Sequence, residues 1–165
     1  MLPIPPERWP PPVEPLKVDG LTFLPARNLH VILVGRWLGP ALQNDAARRQ
    51  AVREAFMRLD WYYTRTGGLL HLEKRQLPGS GGKGRTIGSI IERIDMPAMA
   101  RFYNDLALML GREMSIPPPH VTLYTAGRTQ GIAVPDVATL RRLTVHEVHV
   151  PGSTPPDARP HRYPH

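Results

Sequence analysis

The sequence contains no cysteine, which rules out disulfide staples and thiolate chemistry and leaves the redox compartment undetermined. No run of about 18 apolar residues occurs, so no segment is suited to span a bilayer as a helix. The opening stretch MLPIPPERWPPP is interrupted by prolines and lacks the continuous apolar core of a signal peptide. No basic amphipathic stretch is long or apolar enough to prefer a membrane surface. These absences predict a cytoplasmic protein with no membrane partner. Acidic residues are also scarce, 14 against 21 lysines and arginines, so the formal charge is +7. Such a surface attracts phosphates, nucleic acids or anionic lipid, which constrains the partner rather than the fold.

What is present suffices for one domain: 165 residues, of which 41% are apolar. Of the 20 prolines, 15 gather in residues 3 to 15, 117 to 119 and 151 to 164, where they punctuate the chain. Residues 1–19 read as an extended proline-rich arm, residues 20–150 as the folded domain and residues 151–165 as a proline-rich tail.

Within the domain, LTFLPAR and NLHVILVGRW read as two strands whose simplest pairing is a hairpin. From Asn44 the apolar residues Val52, Ala55, Phe56, Leu59 and Tyr63 recur at helical spacing. Asn44 or Asp45 is then the cap and TRTGG the stop. Arg48, Arg49, Arg53 and Arg58 take the other faces of that helix, as a solvated surface or a docking face for an RNA backbone. LLHLEKR and RTIGSIIERI follow as a strand pair joined by the glycine-rich QLPGSGGKG, then a helix from Pro97 to Gly111. SIPPP feeds a strand at HVTLYT, VPDVATLRRL gives a short helix, and TVHEVHV a last strand. Strand pairs separated by single helices predict an α+β fold, antiparallel sheet covered by helices on one face and open on the other.

Two of these strands carry a histidine. Side chains alternate along a strand, so His30, Ile32, Val34 and Arg36 are expected on one face of the first, and His120, Thr122 and Tyr124 on one face of the second. Val31 with Leu33, and Val121 with Leu123, would then be buried under the helices. NLHVILVGRWLG and PHVTL, with their histidines 90 residues apart, resemble the paired H-x-T/S-hydrophobic signature of the two-histidine (2H) phosphoesterase superfamily. That superfamily includes bacterial 2'-5' RNA ligase-like proteins and RNA 2',3'-cyclic phosphodiesterases. The resemblance covers roughly residues 20–150, and helix, strand pair and helix lie between the two motifs.

The resemblance implies a bilobal α+β domain: pseudo-symmetric antiparallel sheets, helices on their outer faces, and a central groove to which each lobe gives one histidine strand. It also implies a metal-independent, cofactor-free phosphoesterase acting on a cyclic phosphodiester of RNA or of a nucleotide. The chemistry is coherent. Opening such a ring needs a base to activate the attacking oxygen and an acid on the opposite side of phosphorus to protonate the leaving oxygen. Imidazoles, with an ordinary pKa near 6.5, serve both roles at neutral pH. His30 and His120 are the implied catalytic pair, with His120 as base and His30 as acid in the hydrolytic direction. Thr122 is the implied donor to a nonbridging phosphate oxygen. Ile32 stands where the first motif would carry the matching hydroxyl, so that half-site keeps only its proton-transfer group.

Two other readings stay open: a binding protein for RNA or a nucleotide that has lost turnover, and an enzyme that degrades cyclic oligonucleotides. Substrate contacts are expected from Tyr124, by base stacking, and from Arg36, in place of the missing hydroxyl. Lys83 and Arg85 are expected from the GSGGKGR loop acting as a lid, although each of the four has a plain alternative as a core or solvated residue. GSGGKGR lacks the spacing of a nucleotide-binding P-loop. His71 falls on one strand and His146 and His149 on another, without helical H-E-x-x-H spacing or supporting carboxylates, so no metal site is expected from them. The expected partner is RNA or a cyclic nucleotide, bound by a monomer.

Overall fold

A computed structural model describes residues 1–77, 84–150 and 159–163. The centre of the fold is a long antiparallel pair, β5 (Tyr62–Gln76) and β6 (Arg85–Asp95), where the sequence predicts its strand pair. α3 (Pro97–Leu110) follows at once, with proline in its first turn and Gly111 at φ 63° closing it in the left-handed conformation. Its apolar stripe buries Met99, Phe102, Tyr103 and Leu106, each contributing about 1.5–3 kcal/mol of transfer free energy. β7 (His120–Ala126) then pairs with β6, and α4 (Val137–Leu143) leads into β8 (Thr144–Val148) on the far side of β5. All pairings among the described residues are antiparallel, which with four helices gives the α+β class.

α2 (Ala46–Met57) starts at Asp45, whose carboxylate accepts from the Arg48 amide at 2.8 Å. It is shorter than the apolar period suggests. The helix stops at Met57, and Trp61 and Tyr63 are buried as strand residues instead. Consecutive aromatic and β-branched residues, WYYT, favour the pleated conformation over continued helix. TRTGG is therefore no helix stop but a bulge inside β5, where Arg65 faces Ile94 and Leu69 faces Glu92. The bulge turns the Gly67 amide onto Glu92, which is 1% exposed and also accepts from Arg65 Nε at 3.0 Å and Nη2 at 2.7 Å. The Arg65 guanidinium in turn lies 4.0 Å over the ring of Trp9.

The first expected hairpin is also replaced. β3 (Leu21–Pro25) and β4 (His30–Val31) run one after the other along the same edge of β7, at Leu24–Thr125 and Val31–Val121, so they do not pair with each other. The hairpin partner of β3 is β2 (Leu16–Val18), through an Asp19–Gly20 turn with φ of 50° and 79°. Asp-Gly is the pair that tolerates two positive φ values in a tight hairpin. Beyond Val31 the chain leaves the sheet, turns at 36–37, and forms α1 (Leu38–Leu42), for which the sequence reading has no element.

The remaining strands come from the ends of the chain. β1 (Leu2–Pro3) pairs with β4 and β9 (His161–Arg162) with β5. Leu2, Ile4, Trp9 and Tyr163 belong to the main core together with the α2 and α3 side chains. The sheet follows one path, β1-β4-β7-β6-β5-β8. A smaller core on its other face joins Leu70, Leu72, Ile87 and Ile91 to Ile132, Val134 and Leu140 of α4 and the segment before it. That second face is thus covered toward β5, not left open throughout as expected, and the uncovered part lies toward β4 and β7. No helix among the described residues is long and apolar enough to cross a membrane.

Candidate functional site

The pairing of Val31 with Val121 fixes the relation between the two histidine strands. Continuing that antiparallel register, His30 lies opposite Thr122 and Ile32 opposite His120. Directly opposed residues share a face, so these four side chains form one quadrilateral, with the histidines on a diagonal of roughly 7–8 Å. Alternation holds as expected here: Val31 and Leu33 are buried, His30 is half-buried and Ile32 is 49% exposed.

Both rings are held in the same way. His30 Nδ1 is 3.1 Å from the carbonyl of Asn28, and His120 Nδ1 is 2.8 Å from the carbonyl of Pro118, in each case two residues back. A carbonyl only accepts, so Nδ1 carries the proton in both rings and Nε2 is left for a substrate. Burial holds His120 below the usual imidazole range; the carbonyl of Pro118 opposes this and the charge of His30 reinforces it.

Thr122 is half-buried, and the segment after β7 passes close to it. A Cβ on Gly131 would stand 2.7 Å from Thr122 Oγ1, so only glycine lets the chain approach there without displacing the hydroxyl. The approach is braced on both sides. Arg128 donates from Nε to the Gln130 carbonyl at 2.6 Å and from Nη2 to the Gly131 carbonyl, while the Ile132 amide donates to buried Ser89 Oγ at 2.9 Å.

One cation joins the quadrilateral that sequence reading did not single out. β6 pairs with β7 so that Arg93 faces His120, and Arg93 is exposed. The signal was present in SIIER, where Ser89, Ile91 and Arg93 alternate onto one face.

The other expected contacts do not gather here. A register shift lies between Ile90 and Ile91, which face Tyr124 and Thr122 respectively. The extra residue, Leu123, breaks alternation and turns Tyr124 into the main core, where it is 6% exposed and cannot stack on a base. Arg36 sits in the turn after the chain has left the sheet, so strand alternation no longer aims it at the His30 face. Arg85 is six residues from Ile91 along β6, roughly 20 Å at strand rise, and bonds Gln76 at 3.2 Å. Lys83 lies outside the described residues. A cleft of about 400 Å³ bounded by Leu38, Leu42, Arg49 and Phe56 contains none of the histidines.

A second group of titratable side chains contradicts the expectation that His71 and His146 lack a carboxylate. These two residues face each other across β5 and β8, and Asp19, at the tip of the β2–β3 hairpin, reaches both. His149 is not part of the group. Comparison of the chain with protein-family models, with curated proteins and with solved structures gives no match.

Proposed function

We propose that the protein is a metal-independent phosphoesterase of the two-histidine type, opening a cyclic phosphodiester of RNA or of a nucleotide. The observation that carries this reading is the Val31–Val121 register, which sets His30 and His120 on one face with Nδ1 of each committed to a backbone carbonyl. A phosphate between the two rings would meet Nε2 from either side, as in-line opening requires. His120 acts as base, since desolvation keeps its lone pair free at neutral pH, and His30 acts as acid. Thr122 donates to a nonbridging oxygen and Arg93 neutralises the phosphate. The local dyad between β4 and β7 is, in this reading, the axis of the bilobal pseudo-symmetry, and the substrate groove runs along it. A monomer working on RNA or cyclic nucleotides in the cytoplasm completes the proposal.

One observation favours a second reading, a binding protein without turnover: Ile32 sets an exposed apolar side chain against His120 where a donor would serve catalysis. Incubation with 2',3'-cyclic mononucleotides, cyclic dinucleotides and cyclic-phosphate-ended RNA, all in EDTA, separates the two. Turnover that falls about 10²–10⁴-fold in His30→Ala and in His120→Ala is the expected result. Binding without turnover, unchanged in both variants, favours the second reading.

A further inference from the structure

The group around Asp19 has a different chemistry from the paired histidines of β4 and β7. His146 Nδ1 is 2.7 Å from the carbonyl of Glu147, so the proton sits there and Nε2 presents a lone pair. That lone pair points at Asp19 Oδ2 from 2.5 Å, and His71 Nδ1 faces the same oxygen from 3.1 Å. A carboxylate oxygen between two ring nitrogens, one of them already committed as an acceptor, is repulsive unless a cation stands among them. Either a proton or a metal ion meets that need.

We propose that Asp19 Oδ2, His71 Nδ1 and His146 Nε2 bind a divalent transition-metal ion of the zinc class. The three atoms lie within 4.8 Å of one another. An ion with bonds of about 2.0–2.2 Å to two imidazoles and a carboxylate sets tetrahedral neighbours about 3.4 Å apart, so it fits after the shortest contact opens by roughly 0.9 Å, and the donor set suits zinc rather than calcium or magnesium. Water completes the tetrahedron from the solvent side, where Asp19 and His146 side chains are 48% and 42% exposed.

An independent observation comes from His71, which is completely buried and whose Nε2 has no hydrogen-bond partner. Glu73 Oε1 stands 3.2 Å from that nitrogen, close enough for an ion contact. A metal on Nδ1 obliges the ring proton to reside on Nε2, facing Glu73, which is the usual carboxylate support behind a metal-bound imidazole. The ion therefore gives the orphaned nitrogen a role. It also balances charge, because two carboxylates and two neutral rings carry −2 without it.

Geometrically the ion is a clasp. It joins the tip of the β2–β3 hairpin to two strands at the opposite edge of the sheet, a junction otherwise packed through Phe23 against His71 at 5.1 Å between ring centroids. The site lies on the opposite face of the sheet from His30 and His120, so it stands whether or not the proposed turnover does.

The test is calorimetric titration of untagged, EDTA-stripped full-length protein with zinc chloride, paralleled by Co²⁺, whose visible bands report its coordination. One saturable equivalent, a tetrahedral Co²⁺ spectrum and a rise in thermal midpoint reversed by EDTA are expected. Asp19→Asn, which keeps a residue tolerant of positive φ, and His146→Gln, on an exposed edge strand, should each weaken binding at least about tenfold. Absence of saturable binding, or equal affinity in both variants and the parent, overturns the proposal and in the latter case assigns the ion to other histidines.

Discussion

The sheet carries two cross-strand histidine pairs, and they differ in what holds each ring. His30 and His120, on β4 and β7, are each anchored by a neutral carbonyl and have no carboxylate hydrogen-bond partner among the described residues. His71 and His146, on β5 and β8, are tied to one carboxylate, that of Asp19. A carbonyl fixes tautomer and orientation without adding charge, so the ring can gain and lose a proton through Nε2. A carboxylate favours a permanent cation, whether proton or metal. With a proton as that cation, His146 carries hydrogens on both nitrogens; its hydrogen bond is then the first cause holding the Asp19 carboxyl below the usual carboxylate range, and His146 is held above the usual imidazole range, first by the carbonyl of Glu147 and then by Asp19. The same residue type in the same kind of pairing is thus prepared for transfer in one place and for holding in the other.

The largest effect that sharpens this contrast is on pH dependence. His120 is held below the usual imidazole range by burial, so it stays neutral and competent as a base to lower pH than a free imidazole. The acid limb of kcat/KM should therefore have its midpoint below about 6.5, with a tenfold fall for each further pH unit. If His120 were the acid instead, the rate would fall as pH rises through that same low midpoint. A profile between pH 4 and 9 on a cyclic-phosphate substrate, in EDTA, decides the assignment by its sign.

Smaller effects come from the hydroxyl positions. Thr122→Val keeps shape and removes the donor; a hydrogen bond to a charged group is worth about 1.5–3 kcal/mol, so kcat should fall on the order of 10- to 100-fold. Ile32→Thr tests the complementary position beside His120 and should raise kcat several-fold if Arg93 leaves one phosphate oxygen unbonded. An unchanged rate in Ile32→Thr would mean that Arg93 already serves that oxygen, and Arg93→Gln should then cost as much as Thr122→Val.

Sequence periodicity made α3, the β5–β6 pair and the half-buried faces of His30 and His120 legible, because each rests on local alternation or helical spacing. It failed where extra residues interrupt the pairing of a strand. The bulge at Leu123 sends Tyr124 into the core, and the bulge at 66–68 makes a strand of a stretch whose glycines resemble a helix stop. It failed also where the site depends on pairing across distance. Nothing local brings Asp19 to His71 and His146, although the Asp-Gly turn signal was there to read, hidden by its place at the end of a proline-rich stretch. Arg93 needed only the β6–β7 register, which no alternation pattern supplies.

The smallest expected effect concerns Gly131, and it asks whether the carbonyl-anchored pair depends on its surroundings as closely as the carboxylate-tied pair does. Gly131 has no side chain to bond a substrate or move a proton, yet a Cβ there would lie 2.7 Å from Thr122 Oγ1 and 3.2 Å from its Cγ2. The neighbour that must give way is a short β-branched side chain with few rotamers, while the backbone of Gly131 is held by Arg128 and the adjoining Ile132 amide by Ser89. Gly131→Ala should therefore rotate or displace the Thr122 hydroxyl and lower kcat by a few-fold, less than its outright removal. The double variant with Thr122→Val isolates the cause. If alanine acts only through the hydroxyl, adding it to Thr122→Val changes kcat no further; an additive loss would mean that it moves the strand carrying His120 as well.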